Sequence, residues 1–462
     1  MIYFILLGLS GVIFSSILIY SRKPFFKALE ATLSLSDAVL SKEEETVKQK
    51  KLIAALKVML TSLGVAIGLI CLIIVFTSLP IYIFKLIKNV TLQDLDLSSI
   101  WVIISFSVGT IIPFLLKKKN PNEDYSEASK LFHKLILNNY NLSKLLFSFD
   151  RRFKKGEKIN DKSTFLIVSG LARAGTTSLT DQLFKAGTFS SLDYSNMPLL
   201  LAPNLWKKMY DPKKADLKER KHGDKMLFGL NTIEALEEYF FKVFLNDNFI
   251  SESHLEKHDI TEDVYANYIK YQSLIRHDNE STYLSKNNNI ILRYESLRTF
   301  NKDFKIIFLF RKPEEHAASL LNQHQRFSEF QEEDEFMQTY LNWLGHHEFG
   351  QNQKVFKFSE EALLIPSDKN TLDYWLNVWY NYYNYLSNMV DEDYLLIEYE
   401  DYLNKPKEVL KYIERDMNMS FNFSNVVPFT NTKQIDTSNC DPQLLKATDT
   451  TYQKLKLRKQ MF

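Results

Sequence analysis

Two stretches of this 462-residue chain carry residue types at spacings that suit the capture of an anion. The first is Gly170-Leu171-Ala172-Arg173-Ala174-Gly175-Thr176-Thr177-Ser178, which follows the apolar run Thr164–Ser169 and precedes a helical pattern, TDQLFKAG. Strand, glycine-rich turn and helix start, in that order, form a phosphate cradle. The N–H groups of the turn and of the first helical turn converge on one point, and the helix dipole favours negative charge there. Thr176, Thr177 and Ser178 add hydroxyls, and Arg173 adds a charged donor inside the loop. The second stretch is Arg311, directly after the apolar run Lys305–Phe310, with Ser319 eight residues on. A helix beginning near Pro313 puts Ser319 close to two turns in. Arg311 would then give charge and Ser319 a hydroxyl to one phosphate. The plain alternatives are a turn with a helix cap, and a surface charge with a helix serine.

The spacing of Gly170 and Gly175 matches that of a nucleotide-binding loop, but Thr176 and Thr177 stand where such loops carry Lys and Ser/Thr. Without the lysine, the grip of an ATPase on the outer phosphates is lost. The second strand ends in Arg311, where an ATPase places an acidic residue to hold Mg²⁺. The expected ligand therefore has two separated anionic groups and needs no metal.

These residues need a scaffold. TFLIVS (164–169), KIIFLF (305–310) and YLLIE (394–398) are short continuous apolar runs, as expected of strands covered on both faces. Each leads into polar residues and then a helical pattern, which predicts an α/β fold: a P-loop-like parallel sheet flanked by helices. Ligands of such sheets sit beyond the carboxyl ends of the strands, where both anion stretches lie. A helix is expected from about Tyr125 to Phe147. The basic, polar stretch that follows marks a boundary, giving an anchor region 1–119, a linker and helix 120–160, and a catalytic-type domain 161–462.

The 57 basic and 56 acidic residues leave a net charge of +1, so bulk charge gives no case for a nucleic-acid partner. Thirteen Gly, 12 Pro and 14% aromatics exclude collagen-like and disordered classes. Two cysteines, Cys71 and Cys440, cannot make a disulfide framework.

The N-terminal end is different in kind. Met1–Tyr20 lacks any charge, Ile53–Leu86 holds a second apolar run, and Ser99–Leu116 holds a third, shorter one. A membrane helix needs about 20 predominantly apolar residues. The first run has neither a basic leader nor a small-residue cleavage site, so it reads as a retained anchor. Arg22, Lys23, Lys27, Lys48, Lys50, Lys51 and Lys117–Lys119 flank the spans. By the positive-inside rule they predict a multi-pass membrane protein with three spans and a cytoplasmic catalytic domain. Residues 21–51 are expected to form a cytoplasmic helix that lies on the bilayer, packs on the soluble domain or simply connects its neighbours.

The two anion stretches, with their strands, resemble the sulfotransferase superfamily, whose donor is 3′-phosphoadenylyl sulfate. The family pattern is a strand, basic-x-Gly-Thr-Thr and a helix, then a strand, Arg, seven residues and Ser. Here these are Arg173-Ala174-Gly175-Thr176-Thr177 and Arg311 with Ser319. Leu284-Ser285-Lys286-Asn287-Asn288 and YLLIEYEDYLNKPKEVLKYIERDMNM (394–419) are weaker matches. Arginine at 173, in place of the lysine of soluble members, looks more like the membrane-associated branch, which includes tyrosylprotein sulfotransferases. LDYSNMPLLLAPNLW (192–206) looks like the same branch in bacteria. The resemblance covers about 160–462. It implies in-line transfer of a sulfuryl group to an acceptor hydroxyl or amine, without a metal. Arg173 through Ser178 would hold the phosphosulfate, Lys286 would assist, and Arg311 with Ser319 would hold the 3′-phosphate.

One departure concerns the base. Soluble members carry Lys-x-His, and here Asn288 stands in the histidine's place. Candidates elsewhere are His222 with nearby Asp224, the acidic helix TIEALEEYFFKVF with Glu234, Glu237 and Glu238, and Asp193. His346-His347-Glu348 invites a metal, but adjacent histidines on a helix point apart, and a structural or acceptor-pocket role is preferred. The aromatic stretch with Trp375, Trp379, Tyr380, Tyr382 and Tyr383 reads as core or as an acceptor wall. A cytoplasmic domain on an anchor suggests a membrane-proximal acceptor such as a glycan or glycolipid. The competing readings are a membrane-tethered kinase or NTPase and a non-catalytic anion-binding scaffold.

Overall fold

The structure, a computed structural model, describes residues 2–40, 45–88, 100–116, 127–154, 164–209, 218–219, 227–228, 233, 235–278, 280–333, 335–359, 368–389, 393–422 and 435–459. The chain divides into two compact units, Met1–Leu135 and Ile136–Phe462.

The first unit holds three long helices: α1 (Ile2–Leu40), α2 (Glu45–Lys88) and α3 (Ile100–Leu116). α1 packs on both of the others. At its crossing with α3, Gly8 and Gly109 bring the two backbones together, and a Cβ on Gly109 would run into the Gly8 carbonyl. Residues 21–40 are not a separate helix as predicted. They continue α1 without a break, with Pro24 inside it, while Lys48, Lys50 and Lys51 belong to the start of α2. The three predicted spans are also reduced. Among the described residues one helix, Lys48–Ile87, is long and apolar enough to cross a membrane. The apolar part of α1, Ile5–Ile19, is shorter, and α3 has 17 residues. Most of the apolar side chains of α2 face outward, Ile53, Ile67, Ile74 and Ile87 among them.

The second unit is built on a five-stranded sheet: β1 (Phe165–Ser169), β2 (Phe189–Ser190), β3 (Thr282–Lys286), β4 (Lys305–Phe310) and β5 (Leu395–Glu398). The order is β2-β3-β1-β4-β5, and every pairing is parallel. β1, β4 and β5 fall on the three apolar runs read from the sequence. Alternate residues serve two cores, because side chains alternate across a strand. Phe165, Ile167, Ile306 and Phe308 face a large aromatic core, where Phe165 stacks on Phe304 at 5.0 Å and meets Tyr268 edge-on at 5.6 Å. Leu166, Val168, Ile307 and Leu309 face a smaller aliphatic core with Leu179 and Leu183 of the helix Thr176–Ala186 and with Val409, Leu410 and Ile413 of the helix Pro406–Met417.

The helix predicted over 125–147 is two helices, Glu127–Leu137 and Tyr140–Lys154. The break falls at Asn138-Asn139, where the Asn139 side-chain oxygen accepts the Leu142 N–H at 2.9 Å and starts the second helix.

A charged pair lies inside the aromatic core. Arg293 donates from both terminal nitrogens to Glu238, at 2.8 Å each, and from Nε to His258 Nε2 at 3.0 Å. Its guanidinium also covers the rings of Phe241 and Phe249 at 4.2 and 4.8 Å. Both charged partners are buried. Removing one partner of such a pair leaves a bare charge in a low dielectric. Arg293→Met is therefore expected to destabilise the second unit by about 3–5 kcal/mol, whereas adding Glu238→Leu should restore much of the loss. Urea unfolding followed by tryptophan fluorescence measures both.

Candidate functional site

Parallel register sets the site. Val168 of β1 pairs with Lys286 of β3, Ser169 with Phe308 of β4, and Phe310 with Glu398 of β5. The residues that follow these strands, Gly170–Gly175, Asn287–Asn289, Arg311–Lys312 and Tyr399–Glu400, thus emerge on one carboxyl edge.

The first segment turns sharply. Gly170, Arg173 and Gly175 have φ of 146°, 70° and 95°. A Cβ on Gly175 would lie 2.5 Å from the Tyr399 ring, so both the dihedral and the contact demand glycine. Arg173 takes a left-handed conformation without that freedom, a cost of about 1–3 kcal/mol of the kind that marks functional loops. The Ala174 N–H closes the turn on the Leu171 carbonyl at 3.1 Å. The helix Thr176–Ala186 then starts with no side-chain cap at Gly175. Ala174 and Thr176 are buried, Thr177 and Ser178 half-buried, and the Ser178 hydroxyl lies 3.2 Å from that of Tyr402.

The second segment meets the first. Arg173 Nε donates to Ser319 Oγ at 3.3 Å, so two residues 146 apart in sequence share one place. Ser319 lies in the helix Pro313–Glu333, which starts at the predicted proline. Arg311 pairs with Glu315 through Nη2 at 3.0 Å and lies 4.9 Å over the Tyr399 ring. Its Nε is buried and has no partner among the described residues. Tyr399 thereby touches both segments, against Gly175 on one side and Arg311 on the other. Burial raises its phenol pKa, opposed by Arg311 and then Arg173. Lys286 closes β3 and is buried.

His316, which the sequence does not single out, holds the turn. Its Nε2–H donates to the Ala172 carbonyl at 2.7 Å, and its Nδ1 is buried without a partner among the described residues. Burial, with smaller contributions from Arg311 and Arg173, outweighs the Ala172 hydrogen bond and lowers its pKa to about 3. The ring is neutral.

The expected bases are scattered. His222, Asp224 and Glu234 lie outside the described residues. Glu237 is fully buried: Tyr268 and Tyr283 donate to one oxygen at 2.7 Å each, and Asn287 to the other at 2.9 Å. Burial raises its pKa against those bonds. Glu238 is the partner of Arg293. Asp193 caps the short 3₁₀ turn Tyr194–Asn196, accepting the Ser195 N–H at 2.9 Å. The helix that carries Glu238 spans Glu238–Leu245, shorter than the acidic pattern predicts.

Residues 346–348 sit beside the loop. His346 Nε2 contacts the Ala235 carbonyl at 3.2 Å, and His347 Nδ1 the Asn352 carbonyl at 3.0 Å. Glu348 accepts from Asn288 at 3.0 Å. Among the described residues no group of three or more His, Cys, Asp or Glu gathers as metal ligands. A narrow crevice has Leu171 and Ala172 on one wall and His347, Glu348, Lys354 and Trp375 on others. The aromatic helix Leu372–Asn388 is mostly core. Within it, Trp379 donates to the Arg311 carbonyl at 3.2 Å and Tyr383 to that of Leu309 at 2.8 Å, fixing the end of β4.

No protein-family model and no curated protein matches the chain. Solved structures similar to it include sulfotransferase STF1 from Mycobacterium tuberculosis H37Rv, at 13% identity over 71% of this chain and 84% of that one, with a TM-score of 0.39. Sulfotransferase STF9 from Mycobacterium avium is similar at 14% identity over 72% and 86%, with a TM-score of 0.38. A sulfotransferase from Alicyclobacillus acidocaldarius is similar at 14% over 64% and 96%, with a TM-score of 0.30. These likenesses are loose, and the functional reading rests on the chain's own residues.

His316 yields a pH prediction. Its folded pKa lies below its unfolded value of about 6.5, so below that pH the unfolded chain binds a proton that the folded chain refuses. Its contribution is present above pH 6.5 and is lost as pH falls toward 3. His316→Gln is expected to flatten the acid loss of stability by up to about 1.4 kcal/mol per pH unit across that window. Urea midpoints of the two proteins between pH 4 and 7 measure the difference.

Proposed function

We propose that this chain is a sulfotransferase that moves a sulfuryl group from 3′-phosphoadenylyl sulfate to an acceptor hydroxyl. The observation that carries the reading is the meeting of two anion grips at one sheet edge: the loop with Arg173, and Arg311 with Ser319. Three features suit such a ligand. The helix start after Gly175 carries no side-chain cap, the loop is rich in hydroxyls, and Arg311 keeps a buried Nε without a partner among the described residues.

The donor supplies a sulfuryl group on a phosphate leaving group. In this reading the N–H groups of Gly175–Ser178, the Arg173 guanidinium and the hydroxyls of Thr176, Thr177 and Ser178 hold the phosphosulfate, while the Ala174 N–H closes the turn. They stabilise the charge that grows on the departing phosphate oxygen. Lys286 assists from the end of β3. Arg311 and Ser319 hold the 3′-phosphate and so fix the reactive end, since positioning supplies much of the rate in group transfer. Glu315, already on Arg311, leaves Nε for the incoming anion.

We propose further that the protein is anchored in a lipid bilayer by α2 and that its acceptor is membrane-proximal, a glycan or glycolipid. Placing residues 161–462 in the cytoplasm requires α3 to return across the bilayer. Its 17 residues are at the short end of what spans one.

Calorimetric titration of the full chain with adenosine 3′,5′-bisphosphate tests the donor site. Binding is expected without Mg²⁺ and without displacement by ATP, and Arg311→Ala should weaken it by about 10–100-fold. Mg²⁺-dependent ATP binding in its place would favour a kinase. Arg173→Ala should abolish transfer in a folded protein, an outcome a scaffold does not predict. A C-terminal fluorescent-protein fusion that matures only in the cytoplasm should fluoresce, and a dark fusion would put the catalytic unit on the other side.

A further inference from the structure

Arg311 is the charged half of the proposed 3′-phosphate grip, and the chain sets a carboxylate against it. Its Nη2 donates to Glu315 Oε2 at 3.0 Å, four residues on in the first turn of the helix Pro313–Glu333. The two side chains are only 11% and 17% exposed, so water and salt screen the pair far less than one on the surface. The helix start favours a carboxylate at that place, which keeps Glu315 where it is. Arg311 is held as well. Its main-chain carbonyl accepts from the Trp379 ring at 3.2 Å, and its guanidinium lies 4.9 Å over the Tyr399 ring. Two more charged groups stand nearby. Lys312 Nζ is 3.8 Å from the other Glu315 oxygen but half-exposed, and it neutralises little of that carboxylate. Glu400 accepts the Lys312 N–H at 3.3 Å.

A guanidinium has five N–H donors, so Glu315 on Nη2 does not close Arg311 to a second anion. Nε is buried and has no partner among the described residues. A phosphate arriving there shares one positive charge with a carboxylate already in place, and meets that carboxylate as a like charge. A site shaped only for tight capture gains nothing from such a neighbour. The chemistry of the donor gives it a use. 3′-Phosphoadenylyl sulfate and adenosine 3′,5′-bisphosphate carry the same 3′-phosphate and differ only at the 5′ end. A grip on that phosphate holds donor and product alike, and binding of that kind lowers KM without raising kcat. Release of the product then becomes the slow step, as it is in many enzymes. We propose that Glu315 is a built-in rival for the 3′-phosphate: it shares Arg311 with the bound nucleotide, weakens the hold at that end, and so sets how fast adenosine 3′,5′-bisphosphate leaves. The inference rests on the sulfotransferase reading. Glu315 acts through Arg311, and no bond of the transfer step involves it.

The test uses the full chain and two nucleotides, adenosine 3′,5′-bisphosphate and adenosine 5′-monophosphate, which lacks the 3′-phosphate. Glu315→Gln removes the charge while keeping the length of the side chain and an oxygen for Arg311. In calorimetric titration the variant is expected to bind the bisphosphate about 10-fold more tightly than the wild type, with binding of the monophosphate unchanged. Stopped-flow displacement should place the gain in slower dissociation of the bisphosphate. A general loosening of the protein would weaken both nucleotides, so the ratio of the two affinities isolates the 3′ end. An unchanged ratio would overturn the proposal. So would a variant that binds the bisphosphate more weakly than the wild type, which would make Glu315 an aid that orients Arg311. If the bisphosphate binds neither protein, the sulfotransferase reading itself is overturned, and the role given to Glu315 falls with it.

Discussion

Strands that run parallel and stop near one level hand their next residues to the same space. In this chain the pairings of Val168 with Lys286, Ser169 with Phe308, and Phe310 with Glu398 impose that level. Everything at the site hangs from it. The loop with Arg173, the lysine at the end of β3, Arg311 and Tyr399 come from segments far apart in sequence. The contacts of Tyr399 with Gly175 and Arg311 form only once the ladder beneath has brought these segments together. A slip of one residue in any pairing would turn that strand over, exchanging its aromatic and aliphatic faces. The double-sided burial of β1 and β4 opposes the slip, so the two cores are what keep the edge in register.

The interior is not uniformly apolar, and its polar groups have one common logic. Arg293 with Glu238 and His258, and Glu237 with Tyr268, Tyr283 and Asn287, are networks in which each charged or polar atom finds its match. They repay desolvation through geometry, because an unmatched member costs more than the matched set gains. Asn287 and Asn288 stand next to each other at the end of β3 and divide between two regimes. Asn287 faces inward and completes the Glu237 network. Asn288 donates to Glu348 instead.

The sequence exposes the parts of this arrangement that obey local rules. TFLIVS and KIIFLF are legible as strands because burial on both faces removes polar residues. TYLSK is not, because β3 carries Thr282, Ser285 and Lys286 within five residues. The anion loop is legible because its dihedrals demand Gly175 and its helix start favours hydroxyls. The fate of the candidate bases is not legible by the same means. The pattern around Glu237 announces an amphipathic helix but not that Glu237 points at Tyr268 and Tyr283 and Glu238 at Arg293. Glu348 has no local signature at all, since its relation to Asn288 spans 60 residues and exists only once the fold has closed. The helical period of 21–51 is likewise real, yet says nothing of whether the helix is separate from its neighbour. There α1 runs on through Pro24.

The meeting of Gly8 and Gly109 has a consequence for how the first unit holds together. In water, burying leucine and isoleucine drives helices together, but hydrocarbon tails are as apolar as those side chains and offer no such gain. Between α1 and α3 the closest approach at that crossing is of main-chain atoms, held by dispersion, beside the ring contact of Phe14 with Phe106 at 5.9 Å. Attraction of this kind does not depend on the solvent being water. The junction is thus equally at home in an aqueous and an oily surrounding, and its fastening is steric, undone by as little as one methyl group.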